Sequence, residues 1–199
     1  MIEAVEISVR DSVVLRGELI RGGGDWTVLV HDSGEDLDAW TGLPPVLAAE
    51  GMSVLAFDLR GHGGSDGEAD PRHEEDDLED VISFARRLGA QRVFLGAAGG
   101  SVRVALAVGE REGAGLFALS PNGPPQELPP APSLAKLVIV GAGDPLEDDA
   151  ASAFAGFALV VRLPVSEDLL RGSWGTSVRD YVVRFLRDAR LRPPLKAHP

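Results

Sequence analysis

No cysteine occurs among the 199 residues, which excludes disulfides, thiolate metal sites, redox dithiols and cysteine nucleophiles together. Any covalent chemistry falls to another residue type. Positive charge is also scarce: 19 Lys and Arg stand against 31 Asp and Glu, giving a net charge of -12 and a pI near 4.7. Such a surface repels a phosphate backbone, so nucleic acid is excluded as a general partner. Long apolar runs are missing too, none approaching the roughly 18 residues of a membrane span. Met1 to Arg10 carries Glu3 and Glu6 where a signal peptide needs a basic stretch and then an apolar one. A soluble, cytoplasmic protein with no membrane partner is the expectation. The four histidines are scattered and the acids form no ordered ligand motif, so neither a metal nor a cofactor is expected.

What is present is enough apolar residue, 44%, to build one sizeable core, and the length fits a single domain over residues 1–199. Ile2, Val5, Ile7 and Val9 alternate with polar residues, and Val13, Val14, Leu15, Leu19 and Ile20 follow across Asp11-Ser12. That pattern is a two-stranded hairpin. Short continuous apolar runs, typical of strands buried on both faces, recur at Thr27–Val30, Val54–Phe57, Val93–Leu95, Leu116–Leu119, Leu137–Val140 and Leu159–Val161. Helical spacing lies between them. Leu78, Val81, Ile82, Ala85 and Leu88 form one stripe, with acids before it and Arg86-Arg87 at its end, as the helix dipole favours. Leu43, Val46 and Leu47 mark a second helix, Val102, Ala105 and Leu106 a third, and Val178, Tyr181, Val182, Phe185 and Leu186 a closing one. Eight strands interleaved with helices predict an α/β fold, a mostly parallel sheet covered on both faces.

Two segments differ in composition. Residues 121–132 hold six prolines, an extended surface connection. Residues 66–80 hold nine acids and one arginine. A solvated loop and helix start accounts for this run, and a docking surface for a basic partner is its functional alternative.

Val28-Leu-Val-His31, Trp40, Leu43 and Leu47 precede Gly51-Met-Ser-Val54-Leu-Ala-Phe-Asp58-Leu-Arg60-Gly61-His62-Gly63-Gly64-Ser65. This stretch resembles the alpha/beta-hydrolase superfamily, and the order of elements from Val13 to about Leu186 resembles that fold. The resemblance implies an alpha/beta-hydrolase fold without a lid domain, because only residues 120–133 stand where the family inserts one. It also implies a Ser-His-Asp site whose nucleophile sits in a G-x-S-x-G turn between a strand and a helix. The corresponding segment reads Gly96-Ala97-Ala98-Gly99-Gly100, with Ala98 at the nucleophile position. Alanine has no group to attack a carbonyl. Asp144, after Val138-Ile-Val-Gly141-Ala-Gly143, matches the acid, and Trp174 stands at the histidine position, with no histidine between His73 and His198.

Two of three triad positions are therefore replaced. What remains is the backbone at Ala97, Ala98, Gly99 and Gly100 with His31, Asp32 and Ser33, whose family counterparts supply N–H groups to an oxyanion. Here Asp32 adds negative charge where the family has glycine. Trp174 either fills the vacated pocket or walls an apolar one. The expectation is a pseudo-hydrolase binding a small acyl or anionic ligand or a protein partner, with a homo-oligomer also open. The alternative is an esterase of small acyl compounds with a relocated nucleophile, for which Ser33, Ser101 and Ser120 are the candidates and His31 or His62 the base. Asp58 and the loop 60–65 are read as organising a turn.

Overall fold

A computed structural model describes residues 1–122, 124, 127–142, 149, 152–154, 158–164 and 168–191. Asp144 and His198 lie outside the described residues. Eight strands form one sheet: β1 (Ile2–Ser8), β2 (Val14–Ile20), β3 (Asp25–Val30), β4 (Ser53–Phe57), β5 (Arg92–Ala98), β6 (Gly115–Leu119), β7 (Lys136–Gly141) and β8 (Leu159–Leu163), in the order β1-β2-β4-β3-β5-β6-β7-β8. β1 and β2 form the antiparallel hairpin read from the alternation, β2 joins β4 antiparallel, and β3 through β8 are parallel.

The central strands are buried on both faces, which is why their apolar runs are continuous. Side-chain alternation sorts them cleanly. Val28, Val30, Leu55, Phe57, Leu95, Ala97 and Val138 face one core with Leu78, Val81 and Ile82 of helix α2 (Glu74–Arg87) and Val102, Ala105 and Leu106 of helix α3 (Ser101–Glu112). Leu29, Val54, Ala56, Phe94, Phe117 and Ile139 face the other, with Leu43 and Leu47 of helix α1 (Leu43–Ala49) and Val178, Val182 and Leu186 of helix α4 (Gly175–Arg190). Three members of the sequence stripes fall outside these cores, Val46 of α1 being half-buried without joining either. Leu88 is the C-cap of α2, past its last helical residue, and Tyr181 lies within α4; both are exposed.

Strand order reverses at β3. The chain runs from β3 outward to β4 and then returns to the other side of β3 as β5, so the carboxyl ends of β3 and β5 diverge and open a crevice between their loops. The register pairs Val30 with both Phe57 and Ala97, which sets His31, Asp58 and Ala98 side by side at that edge.

The loop after β4 is organised by Asp58, 5% exposed. Its carboxylate accepts from the N–H of Leu37 (2.8 Å) and of Gly64 (2.7 Å), and its carbonyl accepts from Ser65 Oγ (2.6 Å). Arg60 leaves this loop to lie buried between two carboxylates, donating to both oxygens of Asp77 (2.8 and 2.6 Å) and both of Asp11 (2.6 and 3.0 Å). The guanidinium holds the Asp11 carboxyl down at about 2. Arg103 and Arg111 of α3 and Arg10 after β1 cover most of the other acids of α2. The acidic run is thus a helix face neutralised from within the chain, which leaves little of it free for a basic partner.

Because Asp77 is 5% exposed, removing its partner strands a buried charge. Arg60→Met is expected to lower unfolding stability by about 3–5 kcal/mol, read by urea denaturation, and adding Asp77→Asn is expected to restore part of the loss. Equal stability of Arg60→Met and the parent would contradict the assignment.

Candidate functional site

The crevice between β3 and β5 is built from its backbone outward. β5 continues through Ala98, which pairs with Leu119 of β6. The chain turns one residue later than the sequence pattern places it, at Gly99, whose φ of +54° lies in the left-handed region that glycine reaches without strain. α3 begins at Ser101. Whichever of the two residues is taken as the apex, no hydroxyl or thiol projects from the turn. Gly96 is fixed for a separate reason, since a Cβ there would overlap Phe117 and Leu29.

The space beside the turn is filled from the opposite loop. A Cβ on Gly99 would overlap the carboxylate of Asp32. Asp32 Oδ1 accepts from the Gly100 N–H at 2.8 Å and from the Ser33 N–H at 2.8 Å, while Asn122 Nδ2 lies 3.4 Å from Oδ2. The Gly99 N–H is spent on the Leu119 carbonyl at 3.1 Å. Of the N–H groups of this turn, that of Gly99 is thus used by the strand and that of Gly100 by the chain's own carboxylate, which the N-terminal end of α3 attracts.

His31 is fully buried and serves as a brace. Its Nε2 accepts from the Leu59 N–H at 2.9 Å and its Nδ1 lies 2.8 Å from the Asp32 carbonyl, which fits a neutral ring carrying its proton on Nδ1. Burial pushes the imidazole below its ordinary value; the Asp32 carbonyl opposes this and the neighbouring His62 adds to it. His62 packs edge-on to His31 at 5.4 Å and turns its Nδ1 to the Arg60 carbonyl. Both ring nitrogens of His31 being committed to backbone, it has none left for a serine.

The three serine candidates separate. Ser101 Oγ donates to the His31 carbonyl at 2.6 Å, tying α3 to the end of β3. Ser33 is exposed and engaged through its N–H. Ser120 lies at the end of β6, has a φ of +45°, and lines the cavity.

That cavity, about 270 Å³, is lined by Asp32, Glu35, Trp40, Ala98, Gly99, Leu119, Ser120 and Asn122 together with Asp168, Leu169 and Leu170. Desolvation and the charges of Asp32 and Asp168 push the Glu35 carboxyl upward. Trp174 stands at the N-cap of α4, half-buried, packed against the same apolar cluster as Ala98. Trp40, read from sequence as packing, is also a wall residue, 1% exposed and set edge-on to Phe117. Asn122 and Asp168 were missed by motif reading, although both follow strands at the sheet edge where ligands of such folds bind, and that position was the available signal. Among the described residues no group of three or more acids or histidines is placed to hold a metal ion, and no helix is long and apolar enough to cross a membrane.

With this geometry in place, residues 26–150 match a family described as serine aminopeptidase, S33. Solved structures of similar fold include an esterase from Pyrococcus furiosus (18% identity, TM-score 0.80, covering 96% of this chain and 91% of that one). An alpha/beta serine hydrolase homologue from Coxiella burnetii has 17% identity and a TM-score of 0.81, over 92% and 97% of the two chains. A serine hydrolase without a lid from Xanthomonas campestris has 19% identity and a TM-score of 0.76, over 100% and 97%. At these identities the likeness is one of fold. A curated relative, bifunctional epoxide hydrolase 2 of Sus scrofa, is 39% identical over 88 residues, which is 42% of this chain and 16% of that protein's length.

The His31 brace has a pH signature. Its folded-state value lies below the 6.5 of a free imidazole, so between the two the unfolded chain binds more protons and stability falls as pH drops below about 6.5. Urea unfolding at about pH 7.5 and 5.5 is expected to show a larger loss for the parent than for His31→Gln, which has no proton to gain. An identical pH slope in both would contradict the neutral, buried assignment.

Proposed function

The chain belongs to the serine aminopeptidase S33 family of alpha/beta-hydrolases, and we propose that within it this protein is a pseudo-hydrolase, which holds a small acyl-type ligand in the cleft at the carboxyl edge of the sheet without cleaving it. One observation carries the reading: the strand-to-helix turn bears Ala98 and Gly99 where a nucleophile projects in this fold, and the Asp32 carboxylate fills the space beside them. Acyl transfer needs a nucleophile, a base that activates it, and donors for the oxyanion. The first is lacking in the turn. Trp174 at the start of α4 offers no base, His31 has both nitrogens committed, and Asp32 holds the Gly100 donor. Leu119, Leu169, Leu170 and Trp40 give the cavity an apolar wall suited to an acyl chain. The carboxylates of Asp32, Glu35 and Asp168 disfavour the anionic ligand that the sequence left open.

A second reading, an esterase with a relocated nucleophile, is favoured by Ser120, a non-glycine residue held at positive φ on the cavity wall. Such conformations cost about 1–3 kcal/mol and gather at functional sites. Treatment with a fluorophosphonate probe, followed by intact-mass analysis and peptide mapping, separates the two. The pseudo-hydrolase reading expects no adduct under conditions that label a serine hydrolase control to completion. An adduct on Ser120, Ser33 or Ser101 overturns it and names the nucleophile.

A further inference from the structure

The N-terminal end of α3 carries an occupant that the chain supplies itself. α3 is a 12-residue helix whose first residues bear no acidic side chain, and the carboxylate at its mouth comes from Asp32, 68 positions earlier in the chain. The contact has the form of a bound small carboxylate. One oxygen takes two backbone N–H groups at 2.8 Å, those of Gly100 and Ser33, and the other has the side-chain amide of Asn122 at 3.4 Å. The carboxylate also fills the volume that a side chain on residue 99 would enter.

We infer that Asp32 is a built-in pseudo-ligand: it fills the anion-binding turn at Gly99-Gly100, bars small carboxylates and oxyanions from it, and thereby sets the charge of ligand the cleft accepts. Removing the carboxylate while leaving the turn intact uncovers the Gly100 and Ser33 N–H groups, the Asn122 amide and the positive end of the helix dipole together. Three donors that the Asp32 carboxylate now satisfies are then left open to an external carboxylate. Occupancy, and not charge alone, does the excluding. Asparagine at position 32 keeps a carbonyl oxygen able to accept from Gly100, so it leaves the turn filled while removing the charge, whereas alanine empties it.

The inference rests on reading the cleft as a binding site. Its test needs no turnover, so it fails or stands apart from fluorophosphonate labelling. The probe is sodium acetate at constant ionic strength, titrated into 15N-labelled parent, Asp32→Asn and Asp32→Ala proteins while the Gly100 and Ser33 amides are followed by NMR. Asp32→Ala is expected to bind acetate at least roughly tenfold more tightly than the parent, with saturating shifts confined to those amides and to Asn122. Asp32→Asn is expected to stay near the parent. Glu35 and Asp168 keep the cleft acidic in all three proteins, so the comparison is made at equal background. Saturable acetate binding at Gly100 in the parent overturns the inference, and this arm needs no variant to fold. Equal gains in Asp32→Asn and Asp32→Ala overturn it by showing that charge acts without occupancy, and a well-folded Asp32→Ala that gains nothing overturns it as well.

Discussion

The hydrogen bond from the Gly100 N–H to the Asp32 carboxylate joins the two loops whose separation would otherwise define an open active site. The strand order makes those loops diverge, and the left-handed turn at Gly99 brings the backbone of one close enough for the side chain of the other to reach it. Around that contact the rest of the edge is braced. Ser101 ties α3 to the His31 carbonyl, His31 ties β3 to the loop after β4 through Leu59, and Asp58 holds that loop to Leu37 and Gly64. Each brace turns a side-chain polar group inward to the protein's own backbone.

Charge follows the same inward logic. A net charge of -12 suggests a protein that presents acid to its surroundings, yet most acids of the 66–80 run meet arginines from β-strand ends and from α3, with Arg60 buried between Asp11 and Asp77. Exposed pairs of this kind each add little stability. The cleft, lined by Asp32, Glu35 and Asp168, has Arg171 beside Asp168 at 3.9 Å and is otherwise a concentration of acid at the sheet edge. Screening by salt is weaker in a concavity than on an open face, which favours neutral over anionic ligands there.

Much of the fold was legible because buried parallel strands leave continuous apolar runs and amphipathic helices leave periodic ones; the five inner parallel strands and the buried stripes of α2 and α3 fall where those patterns lie, whereas the run at Leu159–Val161, expected to be buried on both faces, is the edge strand β8 with Leu159 exposed. The alanine in the strand-to-helix turn was legible for another reason. A glycine-flanked turn between a strand and a helix has few sequence solutions, so an alanine inside it stands out. Long-range pairing was not legible. Spacing along the chain does not announce that Asp32 reaches Gly100 or that Ser101 reaches His31, since those contacts depend on the register of β3 against β5. The one-residue shift of the turn apex from Ala98 to Gly99 is of the same kind, decided by the pairing of Ala98 with Leu119. Trp40 hid its part in the cavity wall because an indole packed against Phe117 and one lining a pocket look alike in sequence.

The most direct measurement of the central contact is the through-hydrogen-bond scalar coupling between the Gly100 amide nitrogen and the Asp32 side-chain carboxyl carbon, together with the exchange rate of that amide with water. A resolved coupling and a slowly exchanging Gly100 N–H are the predicted result, the turn being filled by the chain's own carboxylate. No coupling, with the Gly100 amide exchanging as fast as an open loop, would contradict it and return the turn to service as a vacant oxyanion site.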